Sequence, residues 1–272
     1  MQERGQLLDE FGFGAIRRFS DAFTDMEANE MLCELYREQV RRVVRDPETA
    51  EGLLPYGYPL GCKRIAFDTD YYETYNRDNV TLVDLRRDAL ESITPKGVKT
   101  ELGDYEFDCL VYATGFDAMT GALMRMDIVG KDGKRLKDYW EAGPRSYLGL
   151  QVAGFPNLFT ITGPGSPSVL SNVMVSIEQH VGWIADCLAY MAQHQRTVIE
   201  ASLEAEDDWI EEVNQIASET ALASPSCSSW YLGSNIADKP RMFMPYAGGV
   251  GNYRAKCDQV AHDNYDGFTI LA

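Results

Sequence analysis

Two adjacent cations are the first residues whose types suit chemistry. Lys63 and Arg64 follow Cys62 at the end of a Pro-, Gly- and Tyr-rich stretch, Leu53–Gly61. A lysine offers a compact point charge for a phosphate, and an arginine a permanently charged planar fork that holds an anion close. Two solvated surface cations are the alternative. The second stretch is Cys109–Asp117, CLVYATGFD, where the apolar run Leu110–Ala113 meets Thr114-Gly115 and then Phe116-Asp117. A short apolar run bounded by turn residues reads as a buried strand. Ligands of open α/β sheets bind beyond the carboxyl ends of strands, so Thr114–Asp117 stands where a cofactor can approach. An ordinary strand ending in a glycine turn is the alternative. Third, Leu158–Thr162 reads as another apolar strand and leads through Gly163-Pro164-Gly165 and Ser166–Asn172 into a helical pattern. The amides of a helix N-terminus favour negative charge, although they also fit plain capping of a core helix. His180 within that helix receives no role, and Trp230 in a later loop reads as packing or as a stacking surface.

Composition narrows the partners. The chain has 272 residues, 45% of them hydrophobic and 25% charged, which suits one large or two smaller globular domains. A net charge of −17 argues against nucleic acid or an anionic membrane as the main partner. No apolar run reaches about 18 residues, so no membrane span is expected. Six scattered cysteines without a CxxC, and no signal peptide, read as reduced thiols of a cytoplasmic protein. Three histidines argue against a His-rich metal site, and none is assigned. Gly163-x-Gly165 and Gly249-x-Gly251 lack the third glycine of a dinucleotide fingerprint. No GxSxG, HExxH or Walker pattern occurs.

The elements that must position these residues follow from periodicity. Thr24-x-x-Glu27 is a capping-box candidate, followed by apolar residues at helical spacing from Met31 to Val44, with Pro47 as the stop. Val80–Leu85 reads as a strand, and Leu90–Ile93 and Val98–Leu102 as short strands about the turn Thr94–Gly97. Leu136–Trp140 suits a short helix. The helix after Asn172 carries Ile177, Val181, Ile184, Ala185, Leu188 and Met191 as its expected inner face. A second helix spans about Ser202–Ala221 with Trp209, Val213 and Ile216 inward. From Ser224 the tail reads as loop-rich, with a Lys239-Pro240-Arg241 run to which no role is given. Strands mixed with helices point to an α/β fold.

Taken in order, GCKR, DTDYYETYNRDNVTLVDL, DCLVYATGFDAMTGAL, GPRSYLGL, FPNLFTITGPGSPSVLSN, SIEQHV, SSWYLGSNI and GNYR resemble the Baeyer–Villiger monooxygenases, above all the phenylacetone and steroid monooxygenase branch. The family's FAD-binding GxGxxG, its fingerprint and its second GxGxxG for NADP are absent from this sequence. The resemblance therefore implies the C-terminal portion of a flavoprotein with two dinucleotide-binding domains. Residues 1–115 would be the C-terminal part of the NADP-binding domain, with a helical insert over about 24–46, and 116–272 that of the FAD-binding domain.

The resemblance also implies residue roles. Arg64 matches the active-site arginine that stabilises the peroxyflavin and the tetrahedral adduct of a ketone. Lys63 matches the lysine on the 2′-phosphate of NADP, and Trp230 the tryptophan packed on that nucleotide. Asp117 falls near the flavin, Asn172 and Val173 where backbone approaches its pyrimidine, and Ser168, Val169 and Leu170 along the substrate pocket. The implied reaction uses FAD, NADPH and molecular oxygen to convert a ketone into an ester or lactone through a C4a-peroxyflavin. The expected macromolecular partner is the missing N-terminal half, with little turnover by this chain alone. A non-catalytic remnant or partner subunit, and a sulfide- or amine-oxidising flavin monooxygenase, are the alternatives.

Overall fold

The computed structural model describes Phe19, residues 21–63 and residues 69–272. These form two compact units, one of residues up to 60 and 69–115, the other of residues 61–63 and 116–272.

In the first unit, Asp25 rather than Thr24 opens helix α1 (Met26–Val43). Its Oδ1 accepts from the amides of Glu27 at 2.8 Å and Ala28 at 3.0 Å. A carboxylate one residue later takes the orphan donors that the capping box would have served. α1 buries Ala28, Leu32, Cys33 and Val40. Asn29, also buried, donates to the carbonyls of Ala22 and Leu60 and accepts from the Leu60 amide. Pro47 does more than stop α1. It sits in the first turn of α2 (Pro47–Leu53), where its missing N–H costs nothing, with Asp46 as the cap. Helix α3 (Tyr71–Thr74) precedes a three-stranded antiparallel sheet of β1 (Leu90–Thr94), β2 (Gly97–Thr100) and β3 (Asp104–Glu106). The expected turn at Thr94–Gly97 closes the β1–β2 hairpin. Gly97 is required there, because a Cβ would lie 2.0 Å from the Tyr105 carbonyl oxygen.

Three expected strands do not form. Val80–Leu85 and Cys109–Ala113 join no ladder, and Leu158–Thr162 contributes one isolated bridge, Gln151 to Phe159. Val111 and Tyr112 are 79% and 64% exposed, so the run expected to be buried faces solvent. A strand exists only as a pairing, and among the described residues no ladder forms on any of these runs.

The second unit contains α4 (Gly121–Arg125), α5 (Leu136–Tyr139), α6 (Val173–Gln193), β4 (Val198–Ala201), α7 (Leu203–Ser218), α8 (Val250–His262) and β5 (Phe268–Leu271). The tail is thus not loop throughout. It ends in a helix and a strand whose partner, β4, lies about seventy residues earlier, running antiparallel from Val198–Leu271 to Ala201–Phe268. The core joins Trp183, Cys187 and Met191 of α6, Ile199 and Ala201 of β4, Trp209 and Val213 of α7, and Tyr253 and Cys257 of α8. Trp209 stacks on Tyr246 at 5.3 Å, and Trp183 meets Tyr265 edge-on at 5.2 Å. α7 buries Trp209 and Val213 as expected, while α6 is rotated in part from its expected face, keeping Met191 buried and Ile184 against the core. Its buried stripe is Ser176, His180, Trp183, Cys187 and Met191, and Val181 and Leu188 are about half exposed. No helix among the described residues is long and apolar enough to cross a membrane.

Candidate functional site

A single tail segment, Ser224–Tyr246, carries Trp230 and meets Asp117, the chain beside Lys63 and the Gly163–Gly165 loop. Ser229 accepts from the Tyr231 amide and opens a one-turn helix over Trp230–Leu232, which Gly233 ends at φ +70°. That turn leaves Trp230 half-buried, its ring 4.5 Å from that of Tyr231. Beyond it, Lys239 forms an ion pair with Asp117, and both side chains are largely enclosed. Arg241 donates to the carbonyls of Cys227 and Ser224, each at 2.8 Å. Cys227 is joined by a disulfide to Cys62, the residue before Lys63. Lys63 itself is exposed. The expectation of reduced thiols throughout is therefore corrected for this pair. The two cysteines are 165 residues apart, and only the folded chain brings such positions together. Cys33, Cys109, Cys187 and Cys257 remain free.

The same tail holds the Gly163–Gly165 loop. The Gly165 amide donates to Met244 at 2.7 Å, the Tyr246 amide to Ser166 at 2.8 Å, and Trp209 Nε1 to the Gly165 carbonyl at 3.1 Å. Gly165 has φ +87°, and a Cβ there would sit 2.9 Å from the indole nitrogen, so neither backbone nor packing admits a side chain. Beyond the loop, Ser168–Leu170 form a one-turn helix in which Ser168 is buried while Val169 and Leu170 are half-buried. Ser168 has φ +38° and donates to Met119 Sδ at 3.5 Å, and Met119 itself has φ +68°. Two non-glycine residues in left-handed backbone thus meet where the Asp117 turn touches the Ser168 turn. Ser171 Oγ bridges the Ser168 carbonyl and Ser176 Oγ, tying this turn to α6. Asn172 caps α6 by accepting from the Met174 amide at 3.1 Å, with Val173 as the first helical residue.

Underneath lies His180, with no exposed surface. Its Nδ1 accepts from the Thr162 amide at 2.9 Å, so the proton sits on Nε2, which faces Tyr253 Oη at 2.9 Å. The tyrosine hydroxyl then donates to the Leu148 carbonyl at 2.5 Å. Burial pushes the His180 pKa down to about 4. The residue that drew no assignment from sequence is a neutral strut under the Thr162–Gly165 turn.

The structure therefore connects Asp117, Ser168 and the α6 cap residues Asn172 and Val173, and links the chain beside Lys63 to the turn beside Trp230. Arg64 lies outside the described residues. Sequence reading noticed the Lys239-Pro240-Arg241 run without assigning it, and missed Met119 and the Cys62–Cys227 pair. Nothing local marks a residue whose partner lies 49 positions away, as Ser168 does from Met119, or 165, as Cys227 does from Cys62. Among the described residues no group of His, Cys, Asp or Glu is placed to hold a metal ion.

No family model matches the chain. The 2-oxo-Δ3-4,5,5-trimethylcyclopentenylacetyl-CoA monooxygenase of Pseudomonas putida is 41% identical over 271 residues, 97% of this chain and 49% of that protein. A Baeyer–Villiger monooxygenase of Pseudooceanicola batsensis is 38% identical over 256 residues, 94% of this chain and 45% of its own. Among solved structures, an oxidised steroid monooxygenase bound to NADP superposes with a TM-score of 0.91 at 46% identity, covering 99% of this chain and 51% of that one. The chain spans about half the length of the curated relatives it matches.

Proposed function

Because this chain belongs to the Baeyer–Villiger monooxygenases, corresponding to their C-terminal half, we propose that it contributes the C-terminal share of an enzyme that converts ketones to esters or lactones. In such an enzyme NADPH supplies hydride and FAD the activation of oxygen. The observation that carries the reading is the tail segment that joins Asp117, the Cys62–Lys63 stretch and the Gly163–Gly165 loop to the Trp230 turn. An exposed ammonium linked through one disulfide to a half-buried indole suits a nucleotide phosphate and a ring.

In this reading Lys63 holds the 2′-phosphate of NADP and Trp230 packs on the nucleotide. Arg64, next in the chain, presents a permanent cation where oxyanion charge develops. Asp117, engaged by Lys239, fixes the turn that enters the flavin side. Asn172 and Val173 offer first-turn backbone to the flavin, and Ser168, Val169 and Leu170 line the ketone pocket. Residues 1–115 belong to the NADP side and 116–272 to the FAD side, in a soluble protein of the cytoplasm.

The remaining half, in the same or a separate polypeptide, is required for FAD binding and turnover. The test adds FAD to the chain with and without a polypeptide matching that half of a relative, reading flavin absorbance and ester formation. Colour and turnover are expected only with both halves. A yellow, active chain alone, or full activity of Arg64→Ala in the complemented enzyme, would overturn the reading. Lys63→Ala should raise the KM for NADPH about tenfold or more while sparing kcat, as the loss of a charge-assisted phosphate contact predicts.

The exposed apolar side of α6, with Met174, Val181 and Leu188, also favours a second reading, a non-catalytic subunit that docks a partner. A complemented pair that forms but never turns over would select it.

A further inference from the structure

The Cys62–Cys227 pair sits where a covalent change would act on two candidate ligand contacts at once. Cys62 immediately precedes Lys63, and Cys227 lies three residues before Trp230. Both cysteines have no accessible surface. The Cys227 side of the pair is already anchored, since Arg241 grips the Ser224 and Cys227 carbonyls and Lys239 is held by Asp117. The Gly61–Lys63 side is a short piece, three residues of the second unit that are separated in sequence from the rest of it. The disulfide is the covalent attachment of that short piece to the unit with which it packs.

We propose that Cys62–Cys227 is a redox-controlled tether that sets the seating of the Lys63 turn against the Trp230 turn, closed by a peroxide and opened by a dithiol. Closing removes two electrons and two protons from the thiol pair. One thiolate sulfur displaces hydroxide from hydrogen peroxide and becomes a sulfenic acid. The second thiolate attacks that sulfur, forms the S–S bond and expels hydroxide, and the two hydroxides take up the thiol protons as two waters. Opening runs through attack by one thiolate of a dithiol, a mixed disulfide, and closure of the reductant's own disulfide, which returns two electrons to the pair. Because neither sulfur meets solvent, closing follows a transient parting of the two turns, and opening follows local unfolding that exposes the S–S bond while it still joins them. The functional meaning of the tether rests on the NADP reading of Lys63 and Trp230, whereas the tether itself does not.

The test uses this chain with Cys109→Ser, which removes the exposed free thiol. After treatment with hydrogen peroxide and denaturation without reductant, the expected count is three thiols, those of Cys33, Cys187 and Cys257. Dithiothreitol should return two more. Amide exchange, read on the two forms under native conditions at times short against global unfolding, should rise several-fold on opening in peptides containing Gly61–Lys63 and Ser224–Gly233 before any rise in Val198–Ala201. Cys62→Ser in the same background should exchange like the opened form whatever the redox state. Five thiols after peroxide would overturn the proposal. So would exchange that fails to respond in either turn, or that rises there only together with Val198–Ala201, which would make the bond act through global stability alone. No cofactor enters these measurements, so their outcome is separate from that of the proposed activity.

Discussion

At the scale of single residues, the second unit depends on two buried polar groups that composition alone would not single out. His180 is neutral in the fold and its pKa is held at about 4 by burial, against 6.5 in the unfolded chain. The unfolded state therefore binds the proton first as pH falls. The stability His180 contributes is complete above about pH 6.5 and is lost progressively toward pH 4, amounting to about 3 kcal/mol across that window. Urea midpoints measured from pH 7 to pH 4 should show a steeper loss for the wild type than for His180→Gln. Parallel slopes would show that the imidazole carries no such linkage. Glu206 is the second group. Its fully buried carboxylate accepts from Tyr139 Oη at 2.5 Å, the Ala153 amide at 3.0 Å and Arg145 Nε at 3.3 Å. Burial and this carboxylate push the Tyr139 pKa up to about 12. Glu206→Ala leaves three donors without their acceptor and should cost about 3–5 kcal/mol in denaturant unfolding.

At the scale of elements, α6 shows how far a sequence pattern can be followed. Its extent was legible, because Asn172 is a good cap and apolar residues run on to Met191. Its inner face was legible only in part, through Ile184 and Met191. The helix carries apolar residues around most of its circumference, so periodicity offers two stripes of similar strength. Packing chooses the stripe through Trp183, whose Nε1 donates to the Cys257 carbonyl at 2.8 Å and whose ring meets Tyr265 and Phe268. Trp183→Ala should therefore cost about 3–5 kcal/mol. Val181→Lys and Leu188→Lys should each stay within about 0.5 kcal/mol of wild type, because those side chains are half exposed in this chain. Equal losses at positions 181 and 183, read from denaturation midpoints, would reverse the assignment of faces. The hairpin β1–β2 is the opposite case. Its strands are adjacent and its turn is local, so sequence located it closely.

At the scale of the whole molecule, the covalent map and the spectroscopic map coincide. All four tryptophans, Trp140, Trp183, Trp209 and Trp230, lie in the second unit, as do both ends of the disulfide. Tryptophan fluorescence thus reports unfolding of the unit that the disulfide closes. A loop of 165 residues restrains the unfolded chain by about 5 kcal/mol on the chain-entropy estimate. A dithiol should lower the fluorescence-detected denaturation midpoint markedly. Cys62→Ser should reproduce that midpoint and lose the response, and an unchanged wild-type midpoint would show that the bond does not form.

The sequence by itself determined what is local or carried by an ordered series of motifs. Helix extents, the Thr94–Gly97 turn and the family likeness from GCKR to GNYR all depend on residues close together in the chain. Tertiary structure alone decided the pairings: Asp117 with Lys239, Ser168 with Met119, His180 with Tyr253, and Cys62 with Cys227. It also decided that CLVYA would be an exposed, unpaired run. Propensity and periodicity act over a few residues, whereas burial, charge pairing and strand pairing need a partner whose position only the folded chain supplies.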